Sequence, residues 1–186
     1  MSANPELLNL LGVAYQMAGG TLDVAAIDNA RQSGAIARLL TRMAAFAETR
    51  NLGVVYGPGT MYQIDGQTYY PHISFIPAAS IPAAGEPETA WTIAPQLVAE
   101  VIPAAEISKD TQMLMAAYFA AGVRQVWIAL LESRKVFLYR SMADFVELYE
   151  TEDLLNLEVL PGFRCRVAEI FAFTPRANKS AEKSRA

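Results

Sequence analysis

One carboxylate stands in the middle of an apolar run. The segment Leu97-Val98-Ala99-Glu100-Val101-Ile102 reads as a central β-strand covered on both faces, with Glu100 inside it. Burying a carboxylate costs several kcal/mol unless something compensates it. A bound metal ion, a proton relay or a set of hydrogen bonds would each supply that compensation, so this strand is where a site is expected. No lysine follows two residues on, where Ile102 stands, and no second acid is adjacent. His72 is the single histidine, at the start of the apolar segment Ile73-Ser74-Phe75-Ile76. An imidazole there suits Mn²⁺ or Zn²⁺ better than Mg²⁺, and it equally suits a hydrogen-bonded strand start. Cys165 is the single cysteine, which excludes an internal disulfide and a cysteine-based zinc site.

The elements that must hold these residues are legible from periodicity and turn residues. A helix is expected over residues 1–18, broken by Gly19-Gly20. A stronger one is expected from Asp28 to Arg50, with Ile36, Leu39, Leu40, Met43 and Ala47 on one stripe and Gly53 as its left-handed cap. Strands are expected at 54–56 and 72–76. A hairpin is expected at 61–64 and 68–70 around Asp65-Gly66. Residues 77–93 read as a surface loop. Strand 97–102 is followed by a helix from Ser108, its N-cap, to Ala121, with Gly122 as stop. A second central strand at 123–131, strands at 135–140 and 145–149, a turn at 160–163 and a short helix at 167–173 complete the chain. This order predicts a single α/β or α+β domain with a mixed, twisted sheet flanked by helices.

Composition narrows the class. A chain of 186 residues, 53% hydrophobic and 18% charged, supports one substantial core. No apolar run reaches the roughly 18 residues that span a bilayer, and the N-terminus lacks a basic leader, so a cytoplasmic protein without membrane contact is expected. A net charge of −4 gives no global pull toward nucleic acid. Arg31, Arg38, Arg42 and Arg50 on one helix, and Arg176, Lys179, Lys183 and Arg185 in the tail, read as a solvated face and a basic end.

Several segments together resemble a known family. The helix, hairpin, Pro71-His72-Ile73-Ser74-Phe75 strand and Glu100 strand, with Tyr118 to Trp127 and Leu160 to Phe171, are similar to the Uma-two family. This is a large bacterial group of proposed endonucleases within the PD-(D/E)XK superfamily. The resemblance covers roughly residues 17–173 and implies a restriction-endonuclease-like core at 17–174. A helical extension at 1–16 and a basic tail at 175–186 would flank it.

The resemblance also implies Mg²⁺- or Mn²⁺-dependent cleavage of DNA, in which acids hold the metal and a lysine supports the water or the developing charge. Carried over position by position, the first metal acid falls on His72. The strand acid falls on Glu100, a further acid on Gln96, an acid before the lysine on Asp110, and the lysine on Leu114. A histidine opening the long helix falls near Ser33, and an acid before it near Thr21. Glu100, His72, Gln96 and Asp110 are therefore the candidate site, with Glu100 and His72 as candidate metal ligands. Leucine can neither ligate nor donate a proton. Lys109 lies more than one helical turn from Leu114. The resemblance thus implies a nuclease scaffold with an altered site, either impaired, or active with Mg²⁺ or Mn²⁺, or serving without a cofactor as a homodimeric binding or assembly protein. Tyr118 and Trp127 are expected to be core aromatics.

Overall fold

The computed structural model describes residues 17–18, 21–22 and 29–172. A short antiparallel pair, β1 (Met17–Ala18) and β2 (Thr21–Leu22), comes first. The helix expected over 1–18 gives way to strand at Met17–Ala18. Its remainder, including the 1–16 extension, and the 175–186 tail lie outside the described residues.

Helix α1 (Ala30–Thr49) starts where the Asn29 side chain accepts from the Gln32 N–H at 2.9 Å. Gln32, Ala35, Ile36, Leu39, Met43 and Ala47 form its buried stripe. Its end differs from the expected one. Asn51, at φ 52°, is the left-handed residue, and the Leu52 N–H returns to the Ala47 carbonyl at 2.9 Å. Gly53 instead opens β3 (Gly53–Tyr56), where the chain passes so close to its neighbour that a Cβ would lie 2.1 Å from the Ile76 carbonyl oxygen. The glycine is needed for that approach rather than for the cap.

Strands β4 (Tyr62–Ile64) and β5 (Gln67–Tyr69) form the expected hairpin, with Asp65 at φ 50° and Gly66 at φ 77° in a type I′ turn. Strand β6 (Ile73–Pro77) leads into a 3₁₀ turn (Ala78–Ser80). The following loop is not wholly at the surface. Ala90 and Trp91 are buried, and Trp91 exchanges backbone hydrogen bonds with Met61 (2.9 Å) and Gln63 (2.8 Å), fastening the loop to the hairpin.

Strand β7 (Leu97–Ile102), helix α2 (Lys109–Ala120) and strand β8 (Gln125–Leu130) then form a parallel crossover unit. Ser108 caps α2 as expected, accepting from the Thr111 N–H at 3.1 Å. Strands β9 (Lys135–Ser141) and β10 (Asp144–Leu148) extend the sheet. A hairpin of β11 (Asp153–Asn156) and β12 (Phe163–Arg166) precedes the short helix α3 (Ala168–Phe171).

The main sheet has six strands in the order β10-β9-β8-β7-β6-β3, and only β7–β8 is parallel. Alternation along the central strands divides the core. Leu97, Ala99, Val101 and Trp127 face α1 and the β11–β12 hairpin, where Trp127 stacks on Phe163 at 5.8 Å. Val98, Val126 and Ile128 face α2 and the β4–β5 hairpin. This is the mixed sheet flanked by helices that the sequence predicts. Among the described residues, no helix is long and apolar enough to cross a membrane.

Candidate functional site

The site lies where one strand stops and its neighbour continues. Strand β6 pairs antiparallel with β7 through Phe75–Leu97, Ser74–Val98 and Ile73–Ala99, and then ends. The preceding residue, His72, therefore comes to rest beside Glu100 and Val101, at a point where β7 keeps β8 on one side but has lost its β6 partner on the other. Side chains complete the pairing there. The Val101 carbonyl accepts from Gln32 Nε2 at 2.9 Å, and its N–H faces His72 Nδ1 at 3.3 Å.

Glu100 shares the α2 side of β7 with Val98, and it is 4% exposed. Three donors surround its carboxylate. The Tyr118 hydroxyl donates to Oε1 at 2.6 Å from α2, and the His72 N–H donates to Oε2 at 3.3 Å. The third is the His72 imidazole, whose Nδ1 stands against the same Oε2. That nitrogen has a single in-plane position, and the close carboxylate contact takes it. The Val101 N–H is then a weaker flanking contact. The ring is 18% exposed against 5% for the carboxylate, so the imidazole is the outward member of the pair. A second buried polar pair lies on the same face, the hydroxyls of Tyr62 and Ser74 at 2.6 Å.

Of the four sequence-predicted site residues, the structure brings two together, Glu100 and His72. Gln96 precedes β7 and sits four residues from Glu100, about 13 Å along a strand at ~3.3 Å per residue. Its backbone is spent on the sheet: its N–H donates to Phe75, and its carbonyl accepts from Arg124 and Gln125. Asp110 is exposed in the first turn of α2, two turns before Tyr118 or about 12 Å of helix. Leu114, one turn before Tyr118, is buried in the apolar cluster over this face. Lys109 is exposed at the first position of α2.

Two residues were not foreseen. Tyr118 is a core aromatic, as expected, but its hydroxyl also donates to Glu100 at 2.6 Å. Gln32 is a polar residue on the buried stripe of α1, which is the signal that could have drawn attention to it. Ser33, where the sequence placed the polar helix residue, is exposed. Between the hairpin and α2, beneath Tyr62, Tyr69 and Tyr118, the free space is about 10 Å³, room for about one water.

As a metal site the arrangement supplies one carboxylate and one imidazole whose near nitrogen is already engaged. Among the described residues, no three or more His, Cys, Asp or Glu side chains come together as metal ligands. A divalent hard cation takes about six oxygen ligands, so this donor set does not fit Mg²⁺. Cys165 is buried, and burial pushes its thiol up to about 11, which removes it as a nucleophile at neutral pH.

Comparison with known proteins follows the same outline. A family model named Uma2, described as "Putative restriction endonuclease", matches residues 5–168. A crystal structure from Anabaena variabilis, described as "a putative nuclease belonging to DUF820", matches with a TM-score of 0.70 at 15% identity, over 90% of this chain and 96% of that one. At that identity the likeness shows the fold. No curated protein matches. The family model spans most of the chain, which belongs to the Uma2 family of restriction-endonuclease-like proteins.

Proposed function

We propose that this Uma2-family chain is a restriction-endonuclease-like protein whose metal-dependent phosphodiester cleavage is impaired or lost, and that it acts by binding, with DNA as the candidate partner. The observation that carries this reading is the state of Glu100. Its charge is compensated from within the fold by the Tyr118 hydroxyl and by the N–H and imidazole of His72. A metal ion is therefore not required to make its burial tolerable. The position that the family resemblance assigns to a lysine is Leu114, buried among apolar side chains. On the same carry-over the first metal acid falls on His72, so one cation-holding group and the lysine that would steady the developing charge are both replaced while Glu100 remains.

Calorimetric titration of Mg²⁺ and Mn²⁺ into the wild type and Glu100→Ala tests the reading without assuming a substrate. No saturable binding in either is expected. Saturable Mn²⁺ binding that disappears in Glu100→Ala, together with Mn²⁺-dependent cleavage of plasmid DNA, would overturn it in favour of an active nuclease with an altered site. Restoration tests the register. His72→Asp with Leu114→Lys is expected to gain Mg²⁺ binding that the parent lacks. A double variant with an unchanged circular dichroism spectrum and no metal binding would show that these two positions do not correspond to the missing ligand and lysine.

A further inference from the structure

The two edges of the six-stranded sheet are built differently. At one edge, β3 begins with the crowded Gly53 and runs into Gly57-Pro58-Gly59, which ends any ladder. At the other edge, β10 carries no proline and no lysine. A register shift between Asp144 and Phe145 disturbs its turn end, but Phe145 to Leu148 pair regularly with β9 and leave their outer backbone groups without a strand among the described residues.

This edge is apolar on its side chains as well. Phe145 is 48% exposed, Val146 and Met142 42% each, and Tyr149 49%, all within the β9–β10 turn and β10 or directly after it. Successive residues alternate, so Phe145 lies with Tyr139 on one face and Val146 with Leu138 on the other, and exposed apolar side chains flank the edge strand on both faces. Phe145 also continues a ring cluster across the sheet face, with centroids 4.9 Å from Tyr139 and 6.1 Å from Phe137.

We infer that β10 is a self-association edge, on which a second copy of this chain adds its own β10 antiparallel across a two-fold axis. An unpaired ladder is satisfied by a strand and not by a helix, which fixes the kind of occupant. Charge then favours an identical strand over a charged foreign one. Asp144 is held bidentately by Arg140 at 2.7 and 2.8 Å, and Glu147 by Lys135 at 2.7 Å, so both acids of β10 are neutralised within the protomer. Two copies therefore meet without unpaired like charges, and no unpaired charge on β10 is left to select a basic or acidic partner. Pairing centred on Val146 keeps the register within the regular residues Phe145 to Glu147, and sets Phe145 diagonal to its symmetry mate on one face, within reach of aromatic side chains. The inference does not rest on the impaired-site reading, and metal binding by Glu100 would leave it untouched.

Sedimentation velocity or light scattering on the whole chain, over micromolar to hundred-micromolar concentrations, tests it with three variants. Val146→Lys puts a charge on an exposed edge position. Phe145→Ser removes the ring beside the two-fold. Leu157→Lys changes a side chain exposed elsewhere and serves as control. The wild type and Leu157→Lys are expected at twice the 20.3 kDa chain mass, and the two β10 variants at the single mass, with unchanged circular dichroism. A monomeric wild type throughout, or a dimer indifferent to both β10 variants, overturns the inference. If those variants misfold, amide exchange on the wild type decides it. Protection of Phe145 to Leu148 is expected to rise with protein concentration, and protection independent of concentration refutes the pairing.

Discussion

Tyr118→Phe separates a carboxylate stabilised by the fold from one that merely tolerates burial. The substitution deletes a hydroxyl and keeps the ring, so packing in the α2-side core is preserved. The lost hydrogen bond is 2.6 Å long and ends on a carboxylate oxygen that is itself buried. Hydrogen bonds to charged groups contribute ~1.5–3 kcal/mol net, so a loss of about 2 kcal/mol is expected. At ~2–4 °C per kcal/mol for a chain of this size, the melting temperature falls by about 4–8 °C.

Tyr62→Phe is the internal comparison. It deletes an equally buried phenol hydroxyl from a bond of the same 2.6 Å length, but to the neutral Ser74, and about 1 kcal/mol is expected there. Urea denaturation monitored by tryptophan fluorescence, with chelator present, gives both values if the m-values match the wild type. The reasoning is refuted if Tyr118→Phe costs no more than Tyr62→Phe. Glu100 would then owe its burial to something other than the phenol. A repeat with Mg²⁺ in place of the chelator asks whether that something is a metal ion: metal-dependent stabilisation of Tyr118→Phe would point to it.

Two further outcomes follow from the fold. Gly53→Ala sets a Cβ 2.1 Å from the Ile76 carbonyl oxygen, with Pro77 Cα at 2.7 Å, and neither backbone atom can rotate away. A loss of about 3 kcal/mol or more is expected by thermal or urea denaturation, well beyond the ~1 kcal/mol of an average substitution. Cys165 has its thiol raised from an ordinary 9.0 to about 11 by burial. The unfolded chain therefore releases this proton first, and stability falls as pH climbs from about 9 towards 11. Cys165→Ser is expected to flatten that decline in denaturation midpoint. A disulfide-exchange reagent is expected to label native protein at pH 8 far more slowly than urea-unfolded protein.

The sequence disclosed most where one residue type has one physical use. Asp65-Gly66 marked a type I′ hairpin because few residues tolerate positive φ in succession. Ser108 and Gly122 bracketed α2 because a cap and a stop are local. The all-apolar run around Glu100 announced a central strand. It misled where two residues could do the same work. Asn51 and Gly53 both accept positive φ, and the choice between them was made by the approach of β6, which no local pattern contains. The hairpin β11–β12 was missed because its strands are four residues each and its stability is tertiary. Asn156 Oδ1 accepts from Glu158, Val159 and Leu160, while its Nδ2 bonds Gln125 in β8. The site was legible as to its centre and less so as to its shell. Glu100 and His72 were named, but Gln96 and Asp110 were grouped with them on resemblance, and the fold places Gln96 at the far end of β7 and Asp110 in the exposed first turn of α2.

On the proposed reading, the replacements at positions 72 and 114 form one coupled change rather than separate losses. A carboxylate inside a central strand cannot be left alone, and its compensation must come from nearby. An acid at position 72 would put a second negative charge beside Glu100, which a cation could balance and hydrogen bonds alone could not. With histidine there, the neighbour becomes a donor, and the phenol of Tyr118 supplies another from the opposite side. Once no metal is needed for charge balance, a lysine one turn from Tyr118 would be an uncompensated cation in the same core. Leu114 fills that place with apolar volume instead. On that reading, histidine and leucine support one another around Glu100. The expectation that follows is epistatic: either reversion alone, His72→Asp or Leu114→Lys, costs more stability than the two together. Denaturation of both single variants and the double variant measures the coupling, and strict additivity would mean that the two positions changed independently.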